Sequence, residues 1–241
     1  WCAKPDNALT TAERDALRQR IRQAKAMRDE GDRQRREHAR TVAAQQWGAA
    51  SPAQVHPYLT AKGVAGHGLR AGAGGLLLVP MRDTAGMLHS LQTIAPDGAK
   101  RFLSGGRVRG CYHAIGKPGG GALVVAEGYA TAASIRAATG LAVAAAFSAS
   151  NLEPVAVALR RKYPCISLVL AADDDFVTDG NPGLAAARAA ALAVGGLVAV
   201  PHFPAVRDNA TDFNDLHRLA GLGAVRACFA EVLEELPHAN P

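Results

Sequence analysis

Glu127 directly follows the apolar run Leu123-Val124-Val125-Ala126, and Asp173, Asp174 and Asp175 follow a second, Leu168-Val169-Leu170-Ala171. If these runs are neighbouring parallel strands, their carboxyl ends open on one crevice and the acids converge there. Alternate residues of an extended segment share a side, so Asp173 and Asp175 face one target while Asp174 faces away. Clustered carboxylates repel one another unless a cation neutralises them. An all-oxygen donor set without His or Cys selects Mg²⁺ or Mn²⁺, and such ions serve phosphoryl transfer by stabilising the attacking and leaving oxygens. A structural use competes with this one, because Asp175 or Asp179 also suits the cap of a helix opening at Pro182. A further pair, Asp212 and Asp215 in TDFND, is a candidate for the same metal, while Thr211 or Asp212 equally fits a helix N-cap.

The elements that must position these acids follow from periodicity. After the Gly-rich segment GKPGGG at 116–121, apolar runs of strand length at 122–126, 141–146, 166–171 and 197–200 alternate with helical stretches at 130–139 and 183–194. Ser150 or Asn151 is the expected cap of another helix with Pro154 in its first turn, and one or two helices fill the end to Leu236. Strand–helix alternation with continuous apolar strands implies a parallel sheet covered on both faces. The GKPGGG segment is no Walker loop, since no Lys-Ser/Thr pair closes it. Upstream, 51–118 reads as short strands at 76–79 and 88–94 with turns at 83–86 and 96–98, then Lys100-Arg101-Phe102. The glycine-rich stretch 63–75 reads as a flexible loop. Residues 10–47 read as a helical arm capped by Thr10 or Thr11, with a narrow stripe at Leu17, Ile21 and Ala24. Beyond Met27 the arm is highly charged, which suits a solvated connector or a grip on DNA phosphates.

The 241 residues suffice for one large domain or a small domain with an appendage. Their formal charge of +6 suits an anionic partner such as nucleic acid. The cysteines at 2, 111, 165 and 228 form no CxxC pair, which argues against a zinc ribbon. Cys165 and Cys228 lie in apolar runs and are expected in the core. His56, His113, His202 and His217 lack metal-binding spacing, so packing or surface roles are expected. Tyr58, Tyr112 and Tyr129 are candidates for stacking on bases, with core packing the alternative for Tyr129. No signal peptide or membrane span is visible, so a cytoplasmic protein without membrane partners is expected. The chain begins at Trp1 rather than Met, as a piece of a longer protein would.

Residues 127–132 read EGYATA, which resembles the signature of primases from conjugative plasmids and satellite phages. A strand ending in Glu-Gly followed by a strand ending in DxD is similar to the Toprim pattern shared by bacterial primases, topoisomerases, recombination mediators and some nucleases. The stretch VPMRDTAGMLHSLQTIAPDGAKRFLSGG resembles the basic subdomain that precedes Toprim in bacterial primases. The resemblance covers about 51–236. It implies an α/β Toprim fold, Rossmann-like and mainly parallel with helices on both faces, over 119–241. A small α+β basic subdomain over 51–118 and the helical arm over 1–50 would precede it.

By the same resemblance Glu127 is the catalytic acid/base, Asp173 and Asp175 are metal ligands, and Gly128 is the small residue at the turn. Asp212 and Asp215 fall where bacterial primases carry a late acidic pair, with spacing DFND in place of DxD. Thr131 stands where those primases have a further acid. Arg82, Lys100 and Arg101 are similar to basic residues that hold template and incoming triphosphate. The zinc module usual in primases is absent from this sequence. The implied activity is metal-dependent synthesis of short RNA primers from ribonucleoside triphosphates on single-stranded DNA with Mg²⁺ or Mn²⁺, in plasmid, phage or mobile-element replication or transfer, alongside helicase or relaxase modules. The alternatives are a Toprim nuclease and a non-catalytic module that binds single-stranded DNA or a partner within a larger mobilisation protein. A topoisomerase would need a nucleophilic tyrosine, which nothing in the sequence marks.

Overall fold

The computed structural model describes residues 10–119, 121–204 and 207–235; Trp1, Cys2 and Leu236 lie outside them. Helix α1 (Thr11–Ala49) starts on a capping box: Glu13 accepts from the Thr10 N–H at 2.8 Å, and the Thr10 hydroxyl oxygen accepts from the Glu13 N–H at 3.3 Å. Residues 10–29 of this arm are exposed along their whole length. Its buried residues are Ala39 and Ala43, and Ala43 packs with Leu78 and Leu91. At its end the Arg70 guanidinium lies 4.6 Å over the Trp47 ring and donates to the Trp47 carbonyl.

The first sheet is antiparallel, in the order β1 (Ser51–Pro52), β2 (Arg70–Ala71), β3 (Leu77–Arg82), β4 (Leu88–Ile94), β5 (Lys100–Phe102). Helix α2 (Pro57–Lys62) lies between β1 and β2 and ends on Gly63 in the left-handed region, φ 64°. The stretch 63–75, expected as a flexible loop, instead supplies Arg70–Ala71 as a paired strand between β1 and β3. A strand of two residues carries no periodicity, and its pairing with β1 joins residues about twenty apart, so local composition could not announce it. The two-residue period of β3 divides its side chains. Leu77, Val79 and Met81 point into the main core, whereas Leu78 meets α1.

The second sheet has the order β10 (Leu197–Ala199), β9 (Ser167–Ala171), β7 (Ala122–Ala126), β8 (Ala142–Ala145), β6 (His113–Ile115). Strands β7 to β10 are parallel, and β6 runs antiparallel along β8 at the edge. Strand β6 therefore joins this sheet from before the glycine-rich segment. Helices α3 (Tyr129–Thr139) and α6 (Phe213–Glu234) pack on one face, and α4 (Ala149–Lys162) and α5 (Pro182–Val194) on the other. This is the expected α/β arrangement. One buried cluster runs through Leu77, Val79, Met81 and Ile94 of the first sheet, Val124 and Ala126 of the second, and Tyr129 of α3 and Phe229 of α6. The two sheets thus share a core.

Several local details differ from expectation. Helix α4 is capped by Ser148, while Asn151 in its first turn is buried and bonds outward. Its amide nitrogen donates to the Cys111 and Ala146 carbonyls at 3.0 and 2.7 Å, and its oxygen accepts from the Gly110 N–H at 2.8 Å. Cys228 is buried as expected, but Cys165 is exposed and Cys111 takes the interior place. Cys165 sits in the turn before β9, where an apolar neighbourhood in sequence does not become one in space. Tyr58, Tyr112 and Tyr129 are all buried, so none is free to stack on a base, and Tyr129 donates to the Ala65 carbonyl at 2.7 Å. Among the described residues no helix is long and apolar enough to cross a membrane.

Candidate active site

The chain leaves β7 through α3 to β8, then returns across the sheet through α4 to β9 on the other flank of β7. Strand order reverses between β7 and β9, and such a reversal opens a crevice at the carboxyl ends of the strands. Val125 pairs with Leu170, so Glu127 and Asp173 emerge side by side at that crevice. The Glu127 carbonyl accepts from the Phe147 N–H at 2.7 Å. Phe147 adopts φ 74°, a left-handed conformation costly for an aromatic residue. Burial raises the Glu127 carboxyl above its ordinary range, and Asp175 and Asp212 add to this against the Ala149 N–H and Lys100.

Asp173 is the most perturbed acid. Burial first, then the charges of Asp212, Glu127, Asp175 and Asp215, push it up to about 8. Those contributions bring all five predicted acids into one electrostatic neighbourhood. Asp174 faces away, as strand geometry requires, and is held by Arg207 and Asn181, each at 2.6 Å. Asp175 also serves the structural role weighed in the sequence, accepting from the Gly183 N–H at 3.0 Å at the start of α5. Asp212 is the N-cap of α6, its Oδ1 accepting from the Asn214 and Asp215 N–H groups at 2.7 and 2.8 Å. Its Oδ2 accepts from the Thr131 hydroxyl at 3.0 Å, so the threonine that replaces an acid ties α3 to the late acidic pair.

Two lysines border the acids. Lys100 is an exposed residue, yet partial burial of its ammonium, and then Lys62, hold it below the ordinary lysine range, against the opposing pull of Asp212, Glu127 and Asp173. Sequence reasoning missed Lys62, whose ammonium lies 3.9 Å from Asp215. Its backbone carbonyl accepts from the buried Asn214 amide at 2.8 Å, and that amide also donates to Ser134 at 2.9 Å. An Asn two residues after a helix-capping acid was the available signal, though nothing in the sequence names its partner.

The other basic candidates lie elsewhere. Arg101 alternates with Lys100 on β5 and borders a cleft of about 710 Å³ between the first sheet and the end of α1. Arg82 donates to the Gly86 carbonyl at 2.9 Å and lies 5.8 Å over Trp47. Gly128 is the N-cap of α3 with φ −96°, and a Cβ there would meet only the Thr131 hydroxyl at 3.4 Å. Protein packing therefore makes little demand for glycine at that position.

Among the described residues no group of three or more His, Cys, Asp or Glu side chains is arranged to hold a metal ion outright. The chemistry of the cluster nevertheless fits one. Asp173 Oδ1 is buried without a hydrogen-bond partner, the state of a carboxylate oxygen that lacks a cation or a proton. The surrounding donors are hard oxygens, suited to Mg²⁺ or Mn²⁺.

The family model for the Toprim domain matches residues 122–223, from the first residue of β7 into α6. These residues form a Toprim domain. The chain is similar to two proteins of Escherichia coli named DNA primase TraC. One is 37% identical over 214 residues, 84% of this chain and 20% of the relative. The other is 41% identical over 160 residues, 62% of this chain and 11% of the relative. The chain thus spans a fifth or less of the length of the curated relatives it matches. Among solved structures it resembles the primase fragment of the bacteriophage T7 primase-helicase protein, with TM-score 0.53 at 18% identity over 76% of this chain and 74% of that one. It also resembles the DnaG primase catalytic domain bound to single-stranded DNA, with TM-score 0.51 at 15% identity over 86% of this chain and 80% of that one. At such identities the likeness is one of fold. It covers more of the chain than residues 122–223 alone.

Proposed function

We propose that the chain is the catalytic core of a DNA primase of plasmid type, joining ribonucleotides into short primers on single-stranded DNA. The observation that carries this reading is the meeting of Glu127 and Asp173 at the strand-order reversal, bordered by Lys62 and Lys100. The name of the Escherichia coli relatives supports the same reading. Mg²⁺ or Mn²⁺ held by Asp173 and Asp175, with Asp212 and Asp215 in a supporting role, would neutralise the triphosphate and stabilise the leaving oxygen. Glu127 would accept the proton of the attacking 3′-hydroxyl, a task favoured by a carboxyl raised towards the working pH. Lys100 and Lys62 would hold the triphosphate, and Gly128 would leave the entrance to α3 clear for it. Arg101 and Arg82, which do not reach the acids, would contact the template through its phosphates with little reading of sequence. Helicase or relaxase modules are the partners expected in a longer protein.

The test is nucleotide joining by the 241-residue chain on a single-stranded template with labelled ribonucleotides and Mg²⁺ or Mn²⁺. Glu127→Gln should lower the rate by about 10²–10⁴-fold, the range for losing a general base, and Asp173→Asn should abolish metal-dependent joining. Template-dependent products from the unaltered chain alone would support a primase. Cleavage of the template without joining would favour a Toprim nuclease, and DNA binding without either reaction would favour the non-catalytic module.

A further inference from the structure

The acids of the cluster come from separate segments. Asp173 and Asp175 lie on the loop leaving β9, and Asp212 and Asp215 lie at the start of α6. Like charges brought together repel, so an attachment outside the crevice is needed to hold the segments together.

That attachment is centred on Asp174 and Arg207. The Asp174 Oδ2 lies 2.6 Å from the Arg207 guanidinium, and its Oδ1 accepts from the Asn181 amide at 2.6 Å. Both members of the ion pair are largely buried, with side-chain exposures of 18% and 21%, which is uncommon for charged side chains on loops. The Arg207 plane stacks 3.6 Å over the Phe176 ring and lies 5.1 Å from Phe203. Asn181 also accepts from the Asp175 N–H at 2.9 Å, and the Asp174 N–H donates to the Thr211 carbonyl at 2.8 Å. Arg207 belongs to the loop that runs from β10 into Asp212. One buried contact therefore fastens both acid-bearing segments from behind, and it also neutralises the acid that would otherwise add to their repulsion.

We infer that Arg207 is a positioning residue for the metal-dependent reaction: through Asp174 it holds the Asp173–Asp175 and Asp212–Asp215 segments together, so that a divalent cation meets an assembled set of carboxylates. The inference rests on reading the cluster as a cation site. Removing a group that orients metal ligands typically weakens binding about 10–100-fold.

The experiment titrates Mn²⁺ into the full chain and reads binding by the electron paramagnetic resonance of free Mn²⁺ and by the rise in thermal midpoint. It compares the unaltered chain with Arg207→Ala, Arg207→Lys, Asp174→Asn and the double variant Asp174→Asn/Arg207→Ala. Arg207→Ala is expected to weaken Mn²⁺ binding about tenfold. Arg207→Lys should recover part of that loss, keeping the charge without the flat stack. The Arg207→Ala penalty should shrink in the Asp174→Asn background, where the contact is already broken. If Arg207→Ala lowers the metal-free midpoint but binds Mn²⁺ within twofold of the unaltered chain, Arg207 is only structural and the inference is overturned. Should Arg207→Ala not fold, Arg207→Lys decides on the same criterion. An unaltered chain that binds no Mn²⁺ removes the cation reading itself, and the inference falls with it.

Discussion

Asp173 is a residue whose chemistry works against the stability of the protein that carries it. Its carboxyl is raised to about 8 in the folded chain, chiefly by burial and then by the neighbouring acids, whereas in the unfolded chain it titrates near 4. Between those values the folded state keeps a proton that the unfolded state has released. Metal-free stability therefore falls as pH rises from about 4 to about 8, by up to about 1.4 kcal/mol per pH unit for this group, and levels off above. Thermal melts in chelator across that range measure the slope. Asp173→Asn should flatten it and should raise the melting temperature near pH 8 relative to the unaltered chain. An unchanged slope in the variant would remove Asp173 as its source. Glu127 and the Asp173–Asp175 group were legible in the sequence because each follows a short apolar run, and strand alternation assigns Asp174 to the opposite side. Lys62 and Arg207 were not legible. Each is a single basic residue whose partner, Asn214 or Asp174, is brought to it only by tertiary structure.

At the scale of elements, the runs at 122–126 and 197–200 became strands close to where periodicity put them, because continuous apolar stretches of that length have few other uses in an α/β sheet. Ends were harder to read. Ser148 caps α4 ahead of the expected residues, since Asn151 is drawn instead to carbonyls far along the chain. The start of α5 presses closely on the acidic loop. A Cβ at Gly183 would lie 2.6 Å from the Asp173 carbonyl oxygen and 2.8 Å from Asp175 Oδ2. Gly183→Ala is therefore expected to cost about 1–3 kcal/mol, as overpacking does, and to weaken Mn²⁺ binding by displacing both acids. Gly119→Ala, whose added carbon meets nothing within 4 Å, is the matched control and should leave both unchanged. Equal melting temperatures for the two variants would show that the loop yields freely to α5.

The whole molecule divides differently from its composition. The arm stands out in sequence by its charge, and the structure gives 10–29 no buried side chain. Deleting residues 10–28 should shift the melting temperature by no more than about 2 °C, the range for losing exposed surface from a domain of this size. A larger drop would mean that the arm packs in solution. The glycine-rich segment at 116–121 marks a change of pattern, from turns and short strands to strand–helix alternation. What it could not reveal is that three residues before it, His113–Ile115, complete the second sheet, because a strand so short carries little periodicity. The shared core, which runs from Leu77 to Phe229, has a consequence for how such a chain can be spliced into another protein. A graft joined at the glycines would strand an edge β-strand and half of an interior on the donor side. A graft joined within the solvated arm, ahead of Ala39, would carry the acids and their bordering lysines across as one heritable unit.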